Sequence, residues 1–224
     1  MGFPQTTCTF LADLARNNDR DWFAANKERY ESDWLNPAIE FVSALSDRMA
    51  SLHPPHKAEA RVNGSIRRLQ RDTRFSKDKT PYDPKLHLVF WTGDHPNRSP
   101  AIHIVLHPDS LGLGAGQFGM TSAELHRYRK TVATDVEARN RLVDVVGRFR
   151  AHECYLTEET LKRVPKDFDI PTDQETLLKR KGIVVRSNMA SLSSTTICDK
   201  SKLSSFCGLA EELNNWLCEN VALG

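Results

Sequence analysis

The sequence predicts a single α+β domain: a central, mostly antiparallel sheet covered by helices from the N-terminal and the middle and C-terminal segments. Three observations carry this. Apolar residues at helical spacing, with capping residues before them, crowd residues 7–52 and 121–150. Short β-branched runs between turn clusters crowd residues 62–118. Strands that follow one another across short turns favour antiparallel pairing. The 224 residues, 39% apolar and 27% charged, suit one domain with its own core, and residues 151–224 read as a mixed part of the same unit.

In chain order, Thr6 or Thr7 reads as the cap of a helix carrying Phe10, Leu11 and Leu14. Asn17-Asn18 ends it, because Asn tolerates the left-handed conformation. Asp19 caps a second helix over residues 21–34, whose Trp22, Phe23, Asn26, Tyr30 and Trp34 fall at helical spacing and read as core. Asn36-Pro37 reads as an N-cap with proline at the first helical position, followed by Ile39, Val42, Leu45, Met49 and Leu52 on one face. The alternative is one long, interrupted helix. His53-Pro54-Pro55-His56 breaks it, and a proline turn does not give the two histidines metal-ligand spacing.

Residues 62–75 read as a strand running into a basic loop, followed by strands 86–91, 101–106 and 111–118. Gly114-Ala115-Gly116-Gln117-Phe118-Gly119 is a literal G-x-G-x-x-G, but its glycines extend a strand and the helix starts only after Met120. A dinucleotide site is therefore rejected, and close approach of another backbone is the preferred reading. His103 and His107 share a strand face about 13 Å apart, too far to chelate one metal alone. Thr121 and Glu124 form a capping box before Leu125, Tyr128 and Val132, and Thr134 with Glu137 reads as a second box before Leu142, Val143, Val146 and Phe149. Residues 174–181 read as a helix stopped by Gly182, residues 183–186 as a strand and residues 187–202 as a polar loop. A last helix carries Phe206, Leu209, Leu213, Trp216 and Leu217.

Charge is concentrated in one stretch. Residues 67–91 carry seven Lys or Arg against three Asp, a net of +4, in a chain of net charge +2. Guanidinium forks bind carboxylate or phosphate in pairs of hydrogen bonds. Arg68, Arg71, Arg74, Ser76, Lys77 and Lys79 are the candidate ligand-binding residues, and Arg163 and Lys166 of a second basic cluster are expected to close the site. If there is chemistry, Asp72 or Asp78 is the candidate general base and Tyr82 the proton donor. The favoured reading is a domain that binds or acts on a small phosphate- or carboxylate-bearing molecule. Two others stand beside it: an internal salt-bridge network, and a nucleic-acid module in which Phe75 and Tyr82 stack bases. The near-neutral balance and the lack of nucleic-acid motifs weigh against the last. No P-loop, nucleophile elbow or metal spacing names a reaction, a cofactor or a metal.

The remaining bounds are brief. Cys8, Cys154, Cys198, Cys207 and Cys218 are odd in number with no C-x-x-C pair, so a disulfide framework or zinc knuckle is not expected and a reducing cytoplasm is. No run approaches the ~18 apolar residues that span a bilayer. The N-terminal segment lacks the pattern of a secretory signal. The oligomeric state is not set by the sequence.

The block Arg71-Asp72-Thr73-Arg74-Phe75-Ser76-Lys77-Asp78-Lys79-Thr80-Pro81-Tyr82 resembles the signature of the bacterial family called domain of unknown function 2461. Phe10-Leu11, Asn17 to Phe23, Asn26-Lys27 and Arg29-Tyr30 are similar to its opening helices, and residues 161–169 and 178–182 to its later motifs. Asp83-Pro84 stands where that family usually has a basic residue, and Asp167 where it usually has glycine. The resemblance implies an α+β fold and a cytoplasmic protein, and no reaction.

Overall fold

The computed structural model describes residues 2–168, 170–188 and 200–222. Five strands form one sheet: β1 (Leu86–Trp91), β2 (Ala101–Leu106), β3 (Leu111–Gln117), β4 (Cys154–Leu156) and β5 (Ile183–Ser187). Their order is β1-β2-β3-β5-β4, and every neighbouring pair is antiparallel. The α+β class is as expected. The first three strands are the predicted meander, and the other two come from the mixed C-terminal part.

Alternation divides the sheet into two unlike faces. Leu86, Leu88, Phe90, Ile102, Ile104, Leu106, Ala115, Ile183 and Val185 point into the main core and are buried. Helix α4 (Asn36–Ala50) packs on β1 there, and α8 (Lys200–Asn220) on β2 and β3. Helices α5 (Ser122–Thr134) and α6 (Val136–Phe149) pack on each other and on α8. The apolar stripe of α8 is the predicted one: Phe206, Leu209, Leu213, Trp216 and Leu217 are all buried. Each such side chain contributes on the order of 1.5–3 kcal/mol through the apolar area it removes from water. The other face carries His87, Val89, Trp91, Ala101, His103, Val105, Gly112, Gly114, Gly116, Val184 and Arg186; Val89, Trp91 and Ala101 form a small second buried cluster at one end, and the end with His87, Val105 and Arg186 is left open.

The chain turns after the first helix, which packs back against the helical run that follows. After α1 (Gln5–Arg16) come α2 (Arg20–Ala25), the short α3 (Lys27–Arg29), a π-helical turn (Tyr30–Leu35) and α4 without a break. Asn36 has helical dihedrals and is not an N-cap. Pro37 cannot donate to the carbonyl of Asp33, and the wider π turn accommodates the proline ring. The hydroxyl of buried Thr7 donates to that carbonyl at 2.5 Å. Thr7 is thus inside α1 and bonded across to the next helix, and Pro4 precedes α1 without a side-chain cap. Asn17 ends α1 with a negative φ, its own amide donating to Asp13, so left-handed tolerance is not used. Asp19 caps α2 as predicted, accepting from the Trp22 N–H.

Other local expectations divide similarly. Thr121 and Glu124 form the expected capping box. The next helix is capped by Asp135 on Ala138, with no reciprocal bond from Glu137; Val145 is buried in it, whereas Val143 is exposed. The helix expected over residues 174–181 shrinks to a 3₁₀ turn and α7 (Glu175–Leu178), because Gly182 must pass against β3: a Cβ there would lie 2.2 Å from the Phe118 carbonyl. Gly116 is similar, with φ +117° and Ile183 Oxygen 2.0 Å from where a Cβ would stand. These contacts are the close backbone approach read from the glycines. His56 is buried, bonded to the Pro54 carbonyl and to Asn214 of α8, and so fastens the proline turn to that helix. Most of the loop expected over residues 187–202, Cys198 included, lies outside the described residues.

Residues 62–75 are not a regular strand. The chain lies along the free edge of β1 through single contacts: Lys57 N–H to Trp91, Val89 N–H to Ser65 and Arg67 N–H to His87. It then pairs with residues 81–83 through Arg71 N–H to Pro81 and Asp83 N–H to Leu69. Left-handed Asn63 and the buried glycine after it break the alternation a strand would need.

Candidate functional site

The predicted loop is closed upon itself. Arg71 pairs with Asp78 at 2.5 Å and also donates to Thr80. Arg74 pairs with Asp72 at 2.7 Å and is 78% exposed, its guanidinium lying over the ring of Phe75. Lys79 donates to the Thr73 carbonyl. Lys77 is exposed, and Ser76 spends its backbone N–H on Thr73. The Asp78 carboxyl is held down at about 2 by the Thr80 N–H, then Arg71 and the Thr80 hydroxyl. Asp72 is lowered by Arg74. Carboxylates so engaged are poor general bases at neutral pH. Tyr82 is buried, stacked on Phe23 with centroids 4.4 Å apart, and its phenol is raised by burial. The side-chain amide of Asn18 bonds both its N–H and its carbonyl. Tyr82 thus anchors the loop in the core instead of facing a ligand.

The second basic cluster does not meet the first. Among the described residues no hydrogen bond or ion pair joins Arg163 or Lys166 to residues 68–79, and both are exposed. Between them Val164 packs on the core, and Phe168 packs there too, against His126 of α5.

Of the predicted residues, Arg68 reaches a concave site. It lines a cleft of about 580 Å³ on the open face of the sheet, with Arg67, Asp83, Lys85, His87, Asn97, His103 and Phe118. A second cavity of about 250 Å³ adjoins it and shares Lys85, His87, His103 and Phe118. Its floor is Gly112 and Gly114, and Arg186 forms a wall. Because β3 presents only glycine at these outward positions, the floor is peptide backbone and the trough is deep. The irregular path along β1 lets Arg67 and Arg68, adjacent in sequence, line the same cleft, which a regular strand would forbid.

Four cations, Arg67, Arg68, Lys85 and Arg186, face one carboxylate across the two cavities. That carboxylate, Asp83, is paired with Lys85 at 2.8 Å. Arg67 is held by the Pro96 carbonyl and Asn97, and Arg186 lies 4.9 Å over the Phe118 ring. The Arg68 side chain makes no hydrogen bond or ion pair among the described residues, and its charge helps to lower the Asp72 carboxyl.

Between the cavities stand two imidazoles. Val89 faces His103 and Val105 faces His87 in the β1–β2 register, so the two histidines are diagonal neighbours on the outer face. His87 Nε2 lies 3.0 Å from His103 Nδ1. Burial pushes His87 down to about 4, helped by Lys85 and Arg67. Burial pushes His103 to about 3, helped by His87, Arg67 and Arg186. Both rings are neutral at pH 7, so one donates to the other. The sequence reading considered His103 with His107 and overlooked His87. Period-two alternation on the two strands was the available signal, since both histidines take outward positions in otherwise apolar runs.

Fold and site together define a class: an α+β protein whose sheet is roofed by helices on one face and carries a cationic, histidine-containing groove on the other. The family described as Conserved hypothetical protein (DUF2461) matches residues 6–216, and the chain belongs to it. No curated protein matches the sequence. Among the described residues no helix is long and apolar enough to cross a membrane, and no three His, Cys, Asp or Glu are grouped to hold a metal ion.

Proposed function

We propose that the groove on the open face binds a small anionic molecule bearing a phosphate or carboxylate. Arg68 and Lys85 contact the charge, Arg67 and Arg186 supply the surrounding field, and the backbone over Gly112 and Gly114 receives the rest of the ligand. The observation that carries this reading is the charge imbalance in a concave place, four cations against one carboxylate. Residues 71–80, where each arginine has its own aspartate, serve as an ion-paired support for the groove's rim. We infer a reducing compartment such as the cytoplasm, supported by the free thiols of Cys154, Cys207 and Cys218.

Thermal unfolding in sodium sulfate, against sodium chloride at equal ionic strength, tests the reading. A ligand at a hundred times its Kd stabilises by about 2.7 kcal/mol. That corresponds to a rise of roughly 5–10 °C in Tm for a chain of this size. Arg68→Ala and Lys85→Ala should each remove most of the rise, and Arg74→Ala should keep it. An equal Tm in both salts, repeated with phosphate and with small carboxylates, overturns the proposal.

A further inference from the structure

We propose that the His87–His103 pair takes up one shared proton when a dianion occupies the cleft beside Arg68 and Lys85, so that binding and protonation are one coupled event. This rests on the anion reading above and adds to it the proton that accompanies the ligand.

The geometry supplies the argument. Two neutral rings joined through His87 Nε2 and His103 Nδ1 share one N–H. Their outer nitrogens, His87 Nδ1 and His103 Nε2, then carry a single proton between them, one donating and the other accepting. A proton from solvent adds to the accepting nitrogen, no other bond breaks, and the pair becomes an imidazolium bonded to an imidazole. Such a charge-assisted hydrogen bond is shorter and stronger than the neutral one. Both rings line both cavities, so a ligand in either meets the pair.

The groups facing the pair explain why a ligand is needed. Lys85 and Asp83 approach from the segment before β1, Arg67 from the irregular segment beside it, and Arg186 from β5. Arg68 and His107 complete the cavity walls. Cations dominate this set, and together with burial they hold the rings neutral. An anion in the cleft reverses part of that field. A unit charge about 6 Å away, at an effective dielectric near 20, raises a neighbouring pKa by roughly two units. A net charge of about that size, left after the surrounding cations screen a dianion, moves the proton uptake of His87 to a higher pH than its present value of about 4. The pair becomes a competent proton donor only while the anion is bound.

The test uses sulfate, which has no proton to release near pH 5.5. Sodium sulfate is added to unbuffered protein in a pH-stat, with sodium chloride as the ionic-strength control. Wild type should take up roughly 0.7 proton per bound sulfate at pH 5.5, the value for a two-unit rise from 4. The double variant His87→Gln with His103→Asn keeps amide groups near the bonded ring positions. It should bind sulfate and take up less than about 0.2 proton. Ring-nitrogen NMR of wild type reads the same event without a variant, as a sulfate-dependent gain of one N–H by the pair, one ring moving to the protonated pattern while its partner stays an acceptor. Sulfate binding with no proton uptake sinks the coupling and leaves the anion reading standing. Undiminished uptake in the double variant also sinks it, since the proton then lands elsewhere. No sulfate binding at all removes the anion reading, and the coupling with it.

Discussion

The loop of residues 71–80 and the groove over the open sheet face hold the same kinds of cation, yet they differ in where the carboxylates lie. In the loop, Asp72 and Asp78 sit within a few residues of Arg74 and Arg71, and the charges close locally. In the groove, Arg67, Arg68, Lys85 and Arg186 come from three separated stretches, and only Asp83 accompanies them. A dense run of charge in sequence therefore tends to neutralise itself. The groove's surplus arises because Arg67 and Arg68 of the same run have no carboxylate beside them, and the fold adds Arg186 from β5. The loop is stiffened by its pairs and the groove is left with charge to offer.

The sharpest way to break the contrast is to force apart β3, which carries the groove's floor, and β5, which carries Arg186. Gly116→Val places a branched side chain at φ +117° and against the Ile183 carbonyl. A loss on the order of 5 kcal/mol is expected in urea unfolding, since backbone, not a pliable side chain, must give way. Retained stability would mean that β3 and β5 are not in this register.

Acid should separate the two regions next. His87 and His103 titrate at about 4 and about 3 in the folded protein, below the ordinary 6.5. Between pH 6.5 and 4 the unfolded chain binds protons that the folded chain refuses, so stability falls as pH falls through that window. By pH 4.5 the loss is on the order of 5 kcal/mol for the two rings together. Asp78 acts in the same direction but in a lower window: its contribution is present above its unfolded value of 3.8 and is lost only as pH falls toward 2. Urea midpoints at pH 7 and pH 4.5 should differ most in wild type and much less in the His87→Gln, His103→Asn double variant, which keeps the smaller contributions of His56 and His107. A midpoint independent of pH across this range would contradict the buried, neutral pair.

Two smaller effects sharpen the comparison at the loop. Asn18→Ala removes both bonds to the Tyr82 backbone and should cost about 2 kcal/mol, because it strands buried polar groups. Arg74→Ala removes only an exposed pair, and the smallest change of the series is expected. Chemical denaturation of the two variants checks the order; an Arg74 effect larger than that of Asn18 would reverse the account of what holds the loop.

Much of the fold was legible because it depends on local rules. Caps at Asp19 and Thr121, the meander of β1 to β3 and the apolar stripe of α8 follow from residue type and spacing. The π turn before α4 was not, since Asn36-Pro37 equally suits a helix start and only the Thr7 bond to Asp33 favours continuation. The site was legible in part. The basic stretch drew attention to Arg68, but it also promoted Arg71 and Arg74, whose partners could be identified only once the loop had closed. His87 was within reach of strand alternation. Arg186 was not, because nothing in sequence says that β5 lies beside Gly114.

The irregular path of residues 57–71 along β1 has a consequence for the protein's behaviour in a crowded solution. A sheet this small ends in two rows of unpaired peptide groups, and such rows invite a neighbour's strand to dock and propagate. Here one margin is hemmed by bonds at His87, Val89 and Trp91, from a segment too uneven to be copied. The other margin is β4, only three residues long. Neither offers a template for cross-β growth. The fold can therefore keep an open, unroofed sheet face for a ligand while remaining protected against self-association through its edges.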